Sequence, residues 1–367
     1  MKKNIDTVFL SVTLILALFG FFIFTSASLG LLSGSKADLL TLVTSKQLLF
    51  GLGIGGIICY ITSQMKYTFW RTNAFYFFVG SLILTASVFI PGLGIEHSGA
   101  TRWLNLGLFS FQPSELLKYG YLIYLAAWFS NKKKDAGNIK FGLIPFLVIS
   151  GLVSLILLLE PDTDTLAVML IAGTSIFIAA GAKVRHIVIL ILIAAIGITG
   201  IIFAKPYIKD RILTFFNPAD NPLSSGYQIQ QSLIAIGSGQ ALGKGFGQSV
   251  QKFGYLPEPM GDSIFAVAAE EFGFLGAAGI VLLFLIFALR GFKISSQAPD
   301  SFSGLLTLGI VILIVTQAYM NIAAMLAIIP LSGQTLPLVS HGGTALMVTL
   351  GALGIIFNIS RNQKQHS

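Results

Sequence analysis

Cysteine and charged residues are scarce in this chain. A single cysteine, Cys59, excludes an internal disulfide and any cysteine-based metal cluster. Only 10% of the 367 residues are charged and 54% are hydrophobic, whereas roughly 25% of the residues of a soluble protein are charged. The mean hydropathy is +0.84. This composition excludes a soluble globular protein and indicates a membrane protein.

Long apolar runs recur along the whole chain. A bilayer-spanning helix needs about 20 mostly apolar residues. Ten such runs are present, at 7–30, 46–64, 73–91, 113–130, 141–159, 164–182, 186–204, 262–289, 303–329 and 342–360. We therefore predict an all-α polytopic membrane protein, a single integral membrane domain over residues 1–367 with about ten transmembrane helices. No cleavable signal peptide is predicted, because the first apolar run is long enough to span the bilayer.

Basic residues follow alternate apolar runs. Placing them in the cytoplasm by the positive-inside rule puts 14 of 23 basic residues there, with only three of 15 acids. The residues placed inside are Lys2, Lys3, Lys66, Arg71, Lys132, Lys133, Lys134, Lys140, Lys183, Arg185, Arg290, Lys293, Arg361 and Lys364. Both termini are then cytoplasmic, and 205–261 is a large extracytoplasmic loop between the seventh and eighth helices. The net charge of +8 follows from topology, so no nucleic-acid partner is predicted.

Acidic residues converge on the stretch Gly254–Gly276. Glu258 and Asp262 lie in a proline-bracketed loop that leads into an apolar segment with Glu270 and Glu271. Ionised groups that enter a hydrophobic helix are costly and usually functional. We predict that the active site lies here, on the outer side. The alternative is a solvated loop end whose acids only cap a helix.

Two other outer segments carry charge. Glu115 and Lys118 are spaced i,i+3 just after a predicted helix start, so they share one face and form either part of a site or a local ion pair. Arg102 precedes a tryptophan and is a candidate for binding or for interfacial anchoring. The acidic turn 160–165 is a candidate cation or sugar-hydroxyl site, with a solvated helix cap as the alternative.

Several short motifs occur in a fixed order. They are Arg102-Trp103, Gln112–Lys118, Glu160-Pro161-Asp162, Gly226-Tyr227-Gln228, Leu256-Pro257-Glu258, Asp262, Glu270-Glu271, Leu336-Pro337, Ser340 and Gly342-Gly343. With these motifs the chain resembles, over nearly its whole length, the SEDS (shape, elongation, division and sporulation) family, the FtsW/RodA membrane glycosyltransferases. The Glu160-Pro161-Asp162 motif and the ending Asn358–Arg361 favour the division member, FtsW, and the elongation member, RodA, is the alternative.

The resemblance implies an activity and partners. It implies a polymerase of lipid II, the undecaprenyl-pyrophosphate-linked disaccharide peptide. Such an enzyme works at the outer face of the cytoplasmic membrane with a class B penicillin-binding protein transpeptidase and other division proteins. The family pattern usually has glycine where Asp164 stands, threonine for Gly261, phenylalanine for Ser263 and tyrosine for His341. None of these departures removes a group that the chemistry needs.

The implied reaction assigns roles to the outer residues. The 4-hydroxyl of one sugar attacks the anomeric carbon of another and expels a polyprenyl pyrophosphate, so a positioned carboxylate must take the hydroxyl proton. Asp262 is the candidate base, and the resemblance points to the same residue. A single base predicts inversion, since retention needs a second carboxylate about 5–5.5 Å away.

The departing pyrophosphate needs positive charge. The predicted substrate-binding residues are Arg102, Glu115, Lys118, Arg211, Lys244, Glu258 and Ser340. A divalent cation, Mg²⁺ or Mn²⁺, held by Asp262 and neighbouring acids would serve as well. Two other functions remain open. One is a transporter that flips the lipid-linked precursor, although the cytoplasmic halves of the spans show no polar path; the other is a ligase that moves glycans to a different acceptor.

Overall fold

The computed structural model describes residues 5–34, 37–97, 100–105, 107, 110–131, 136–216 and 225–363. Its helices are α1 (Thr7–Ser28), α2 (Ala37–Lys46), α3 (Gly55–Gln64), α4 (Tyr67–Thr72), α5 (Ala74–Ala86), α6 (Pro113–Asn131), α7 (Ile144–Leu159), α8 (Thr163–Ala179), α9 (Val184–Ala204), α10 (Pro206–Phe216), α11 (Ser225–Ser238), α12 (Ile264–Ser296), α13 (Ser301–Met325) and α14 (Gly343–Arg361). Its strands are β1 (Gly94–His97), β2 (Ala100–Asn105) and β3 (Ser110–Phe111). The predicted cytoplasmic residues Lys2, Lys3, Lys132, Lys133, Lys134 and Lys364 lie outside the described residues.

The predicted fold class is confirmed. Each of the ten predicted spans coincides with helical structure. Within the described ranges, seven helices are long and apolar enough to cross a membrane, and the apolar helices Ala74–Phe89 and Thr163–Ala179 are shorter. Helix α6 has 19 residues but carries Glu115 and Lys118 in its first two turns. The second span is formed by α2 and α3, which are joined by the π-helical segment Gln47–Ile54.

The outer connections contain structure that the sequence did not predict. Strands β1, β2 and β3 form a small antiparallel sheet between α5 and α6, in which Ile95 lies opposite Trp103 and Leu104 lies opposite Phe111. The predicted 205–261 loop contains the helices α10 and α11. About half of its described part is therefore helical.

Helix α13 lies at the centre of the bundle and packs against α6, α8 and α12. Its buried side chains surround the helix, as expected when apolar neighbours enclose it on every side. Small residues allow close packing in the bundle. A Cβ atom at Gly309 would collide with Ile176 of α8, and one at Gly354 would collide with the α3 backbone at Cys59. Helix α9 is mostly exposed along its length, as expected of a lipid-facing helix.

Charged contacts mark one end of the bundle. Asp6 caps α1 and pairs with Arg290 near the end of α12 at 3.0 Å. Arg71 in α4 lies 3.6 Å from Asp300, the residue that caps α13. All four belong to the segments for which the charge pattern predicts a cytoplasmic location. The structure thus gathers these segments at one end, and the candidate site lies at the other.

Helix α12 is interrupted at Gly273. This glycine has φ 65° and ψ −166°, a conformation that residues with a side chain rarely adopt. Residues 264–271 are all buried. The following stretch, Phe274–Leu289, is apolar, and the basic residues Arg290 and Lys293 come directly after it. The break therefore separates a buried outer segment from the membrane-crossing part of α12.

Candidate active site

Asp262 lies in the turn that precedes α12 and is half-buried. Its Oδ1 accepts a hydrogen bond from the Gln228 side-chain amide of α11 at 3.1 Å. Its backbone carbonyl accepts one from the Asn321 side-chain amide of α13 at 2.6 Å. Because Asp262 is attached to two helices, its position is fixed by the bundle rather than by the loop alone. The carboxyl group also accepts a hydrogen bond from its own backbone N–H.

The environment of Asp262 raises the pKa of its carboxyl group to about 6. Burial is the main cause, because it disfavours the charged form, and the negative charge of Glu258 acts in the same direction. The hydrogen bond from Gln228 and the positive charge of Arg211 oppose the rise in pKa. A carboxyl group with a pKa just below neutrality is suited to general-base catalysis, because it is ionised at pH 7 and still basic.

Helix α13 connects Asp262 with the predicted pair Glu115 and Lys118. The Lys118 ammonium lies 2.8 Å from a Glu115 carboxylate oxygen and donates a hydrogen bond to the Gln317 side-chain oxygen at 3.1 Å. Gln317 and Asn321 are spaced i,i+4 on α13, so they share one face of this helix. The structure therefore brings Glu115, Lys118 and Asp262 to the same face of α13.

The connection between α13 and α14 closes over this face. The Gln317 side-chain amide donates to the Thr335 carbonyl at 3.1 Å, and the Asn321 amide donates to the Gln334 carbonyl at 2.7 Å. The Ser340 hydroxyl donates to the Gly261 carbonyl at 2.7 Å and accepts from a backbone N–H of its own loop. Ser340 is thus next to Asp262 in space, but its hydroxyl is engaged with the backbone.

Two arginines lie at the outer acidic turn. Arg211 of α10 pairs with Asp164 at 2.9 Å, and the same Asp164 oxygen accepts the Gly333 N–H at 3.0 Å. Arg211 also lies close enough to Asp262 to lower its pKa. Arg102 of β2 donates to the backbone carbonyls of Glu160 and Pro161. Arg102 therefore holds the acidic turn against the sheet, and Arg211 connects the turn with the Asp262 site.

Glu160 and Asp162 are buried acids with unsatisfied oxygens. Both carboxylate oxygens of Glu160 and one of Asp162 have no hydrogen-bond partner among the described residues. Burial raises the pKa of Glu160 to about 8, the nearby Asp162 adds to the rise, and Arg102 opposes it. Glu160 therefore holds a proton at neutral pH. The solvated helix cap considered for this turn does not describe Glu160, which is buried, whereas Asp162 does cap α8.

The structure assigns Lys244 to a different environment. Its ammonium lies 2.7 Å from Glu270, and its backbone N–H donates to the Glu270 carbonyl at 3.0 Å. Glu270 is two turns along α12 from Asp262, about 12 Å at the helical rise of 1.5 Å per residue. Lys252 is paired in the same way with Glu271 at 2.7 Å, and both of these side chains are buried. These pairs correct the expectation that Lys244 offers a free charge to the pyrophosphate and that all four acids share one site.

The carboxylates near the base limit how a metal ion could bind. Within the described ranges, no group of three or more His, Cys, Asp or Glu side chains could hold a metal ion. Asp262 and Glu258 are near each other, and Glu258 adopts φ 45° in the turn before Asp262. Mg²⁺ is commonly bound by one or two carboxylates together with substrate phosphates. The residues therefore fit an ion that is shared with a phosphate-bearing substrate.

Four polar residues of the site were not singled out from the sequence. Gln317 bonds to Lys118 and Asn321 bonds to the Asp262 carbonyl, so these two side chains connect the Glu115–Lys118 pair with Asp262. Gln228 bonds to the Asp262 carboxylate, and Gln334 bonds to Thr165 at 3.1 Å. A signal was present for Gln317 and Asn321, because amide side chains spaced i,i+4 inside an apolar span are costly and usually functional.

Two positions differ from the pattern that the sequence resemblance implied. Gly261 has room for a Cβ atom, and the Ser263 hydroxyl accepts a second hydrogen bond from Gln228 at 3.0 Å.

Comparison with known proteins identifies the family. A family model described as Cell cycle protein, for FtsW, RodA and SpoVE, matches residues 6–365. The chain is 38% identical to the stage V sporulation protein E of Bacillus subtilis, with 98% of each chain covered. It is 34% identical to a probable peptidoglycan glycosyltransferase FtsW of Geobacter sp., with 99% of this chain and 98% of the relative covered.

The fold agrees with this relationship. A chain of a peptidoglycan synthase complex, solved to describe the structural coordination of polymerization and crosslinking, is similar with a TM-score of 0.80 at 25% identity. The similarity covers 98% of this chain and 99% of that chain. The order of motifs, the helical bundle and the full-length matches all agree. The chain belongs to the FtsW/RodA/SpoVE family.

Proposed function

We propose that this protein is a peptidoglycan glycosyltransferase that polymerises lipid II at the outer face of the cytoplasmic membrane. The observation that carries the proposal is the Asp262 carboxyl, which is fixed by Gln228 and Asn321, has a pKa of about 6 and lies near Arg211. It lies where a helical bundle meets its outer turns, so a substrate anchored in lipid can reach it. The family relatives named as glycosyltransferases support this activity.

The geometry supports one-step displacement. The Asp262 carboxylate takes the proton from the sugar 4-hydroxyl as the hydroxyl oxygen attacks the anomeric carbon of the second lipid II. The new glycosidic bond forms as the bond to the polyprenyl pyrophosphate breaks, and the pyrophosphate leaves with the bonding electrons. With Asp262 as the single base, the expected outcome is inversion at the anomeric carbon.

Positive side chains stabilise the departing pyrophosphate. Arg211 is half-exposed and uses one guanidinium nitrogen for Asp164, so its other donors can face an anion. Lys118 is buried and bound by Glu115 and Gln317, which fits a role in shaping the site more than one in direct binding. Asp262 and Glu258 are the residues that would hold a divalent cation, which would add charge neutralisation.

The orientation and the partners follow from the same proposal. The end with the Asp6–Arg290 and Arg71–Asp300 contacts faces the cytoplasm, as the positive-inside rule requires, and Asp262 faces outward. The class of partner is a penicillin-binding protein transpeptidase, because the similar solved chain belongs to a complex that coordinates polymerization with crosslinking. The FtsW names among the relatives support a role in septal wall synthesis with other division proteins.

A sporulation setting is the second candidate. The 38% identity to the stage V sporulation protein E supports it. The two settings differ in the phenotype of a deletion in the organism of origin. Loss of septation supports the division role, whereas normal septation with defective spores supports the sporulation role.

The decisive experiment measures lipid II polymerisation by Asp262→Asn. The asparagine keeps the size of the side chain but removes the base, and loss of a general base lowers the rate by about 10²–10⁴-fold. Asp210→Asn, at an exposed acid of α10, is the matched control and should retain the wild-type rate. Both variants are compared at equal amounts of folded protein in liposomes with the transpeptidase partner. Wild-type turnover by Asp262→Asn would contradict the role of Asp262 as the base, whereas the absence of polymerisation by the wild-type protein would favour the transporter alternative.

A further inference from the structure

Helix α11 and the buried outer segment of α12 run side by side in the same direction. Near the start of α11, Gln228 donates hydrogen bonds to Asp262 and Ser263 at 3.1 and 3.0 Å. At the end of α11, the Ser238 hydroxyl lies 3.4 Å from the Glu270 carboxylate. Both helices therefore run in the direction that goes from Asp262 to the Gly273 break. The chain then has to return from that depth, because Asp262 follows α11 in sequence.

The loop that follows α11, residues 239–256, begins beside the Gly273 break in α12. The backbone N–H groups of Phe274 and Leu275 donate to the carbonyls of Gln240 and Ala241 at 2.8 and 3.2 Å. Gly243 lies against Gly273 so closely that a Cβ atom at either position would collide with the other backbone. The loop tip is therefore docked beside the first exposed residues of the membrane-crossing part of α12.

Helix α1 gives an independent measure of depth. Phe246 of the loop stacks on Phe22 with ring centroids 4.0 Å apart. Phe22 is six residues before the end of α1 at Ser28, which corresponds to about 9 Å along the helix. Lys252, further along the loop, contacts Ser26 at 2.9 Å, closer to that end. The loop therefore rises from a tip that lies well below the outer end of α1.

Several backbone N–H groups of this loop are paired within the protein. Lys244 and Gly245 donate to the carbonyls of Glu270 and Glu271 at 3.0 and 2.9 Å. The carboxylates of the same two glutamates accept the N–H groups of Ser249, Val250 and Gln251 at 3.1–3.3 Å. A non-helical backbone is tolerated at membrane depth only where its polar groups are paired within the protein. These five N–H groups meet that condition.

The tip and its neighbours expose large apolar side chains beside the polar Gln240, Lys244 and Gln248. Leu242 is 78% exposed, Phe246 43% and Val250 53%, and the adjoining Phe274 of α12 is 70% exposed. Exposed apolar side chains of this size need a partner. They continue the lipid-facing surfaces of α1 and α12, where Phe22 is exposed by 44%. That continuity identifies the partner as the acyl chains of the bilayer.

We propose that residues Ser225–Leu256 form a re-entrant hairpin that enters the outer leaflet, with the tip Leu242–Phe246 among the acyl chains of phospholipids. Helix α11 descends, the tip turns at the Gly273 break, and the loop ascends to the Asp262 turn. The Glu270 and Glu271 ion pairs hold the hairpin to α12. The inference differs from the sequence expectation, in which 205–261 is an entirely extracytoplasmic loop.

Nitroxide accessibility in liposomes tests this proposal. Leu242→Cys and Phe246→Cys are made with Cys59→Ala, spin-labelled, and reconstituted without a partner in phosphatidylcholine and phosphatidylglycerol. Collision rates are measured with oxygen, which concentrates in the bilayer, and with a water-soluble nickel chelate. Leu282→Cys, exposed by 54% on the crossing part of α12, is the lipid reference, and Lys209→Cys, exposed on α10, is the water reference.

The labels at the tip should give an oxygen-to-nickel ratio close to that of Leu282 and several-fold above that of Lys209. A ratio like that of Lys209 at Leu242 would place the tip in water and overturn the proposal. Low collision rates with both reagents would place the tip against protein and would also overturn it. If Leu242→Cys is lost from the membrane, Val250→Cys on the same loop gives the same discrimination.

Discussion

Asp164 and Arg211 form an ion pair of 2.9 Å at the outer end of the helix bundle. The same oxygen of Asp164 accepts a hydrogen bond from the backbone N–H of Gly333 at 3.0 Å. The start of α8, helix α10 and the connection before α14 therefore meet at one carboxylate. This junction sets the position of Arg211, which lies close enough to Asp262 to lower its pKa.

Removing the Asp164 charge should weaken substrate binding. In Asp164→Asn, the amide oxygen can still accept the Gly333 N–H, but Arg211 is no longer held by an opposite charge. We expect kcat/KM for lipid II to fall by about tenfold, which corresponds to about 1.4 kcal/mol, mainly through KM. Stability should change by about 1 kcal/mol or less, because the pair is half-exposed. Steady-state kinetics and thermal unfolding measure the two effects.

A double-mutant cycle with Arg211→Gln provides the control. If Asp164 acts by positioning Arg211, the second substitution adds little once the first is present. Fully additive losses would contradict a positioning role for Asp164.

The pH dependence of polymerisation should report the Asp262 carboxyl. A general base must be deprotonated, so the rate should fall as pH decreases through about 6, the raised pKa of Asp262. Gln228→Leu removes a hydrogen bond that lowers this pKa, so the acid limb should move to higher pH. Glu258→Gln removes a charge that raises it, so the limb should move to lower pH. The measurement is the pH of half-maximal kcat/KM, and shifts in the same direction for both variants would contradict the assignment to Asp262.

The effects of the Glu115–Lys118 pair on stability and on activity can be measured separately. Lys118→Met leaves the buried Glu115 carboxylate without its cation, and breaking a buried pair costs about 3–5 kcal/mol. The double variant Glu115→Gln with Lys118→Met removes both charges and should recover most of the stability. We expect polymerisation by the double variant to remain strongly reduced at matched folded protein. Recovery of wild-type activity would assign a purely structural role to the pair.

The two lysines of the loop that follows α11 should differ in their effect on stability. Lys252→Met breaks a fully buried pair with Glu271, so we expect a loss of about 3–5 kcal/mol. Lys244→Met should lower stability less, because Glu270 keeps its hydrogen bonds from Ser249, Val250 and Gln251. Denaturation in detergent measures this difference. At matched folded protein, Lys244→Met should keep the wild-type KM for lipid II, and a raised KM would return Lys244 to the substrate site.

The orientation can be tested with introduced cysteines. Lys209→Cys in α10 and Asn138→Cys before α7 are both made with Cys59→Ala. An impermeant thiol reagent applied to intact cells with a permeable outer envelope should label Lys209→Cys only. Asn138→Cys should react only after the membrane is permeabilised, which controls for its intrinsic reactivity. Labelling of Asn138→Cys in intact cells would reverse the orientation and move Asp262 to the cytoplasmic side.

The sequence predicted the elements that follow hydrophobic length. The ten apolar runs correspond to helices, and Glu115, Lys118 and Asp262 were selected because charged residues beside apolar segments are costly. The small sheet was not predicted, because its strands are short and their pairing is non-local. The partners of Glu270 and Glu271 could not be predicted either. Their cations lie 26 and 19 residues earlier in the chain, in a loop whose path depends on the Gly273 break.

The buried pair of Lys252 with Glu271 has a consequence for biosynthesis. Lys252 precedes Glu271 by 19 residues, so the cation is translated first. A carboxylate within a membrane helix raises the free energy of insertion by about 2.5–3.5 kcal/mol at the bilayer centre. With the hairpin already exported, Glu271 meets a waiting counter-ion as α12 leaves the translocon. A permuted chain that delivered α12 before residues 225–256 would present both glutamates to the translocon uncompensated, and its insertion efficiency would fall.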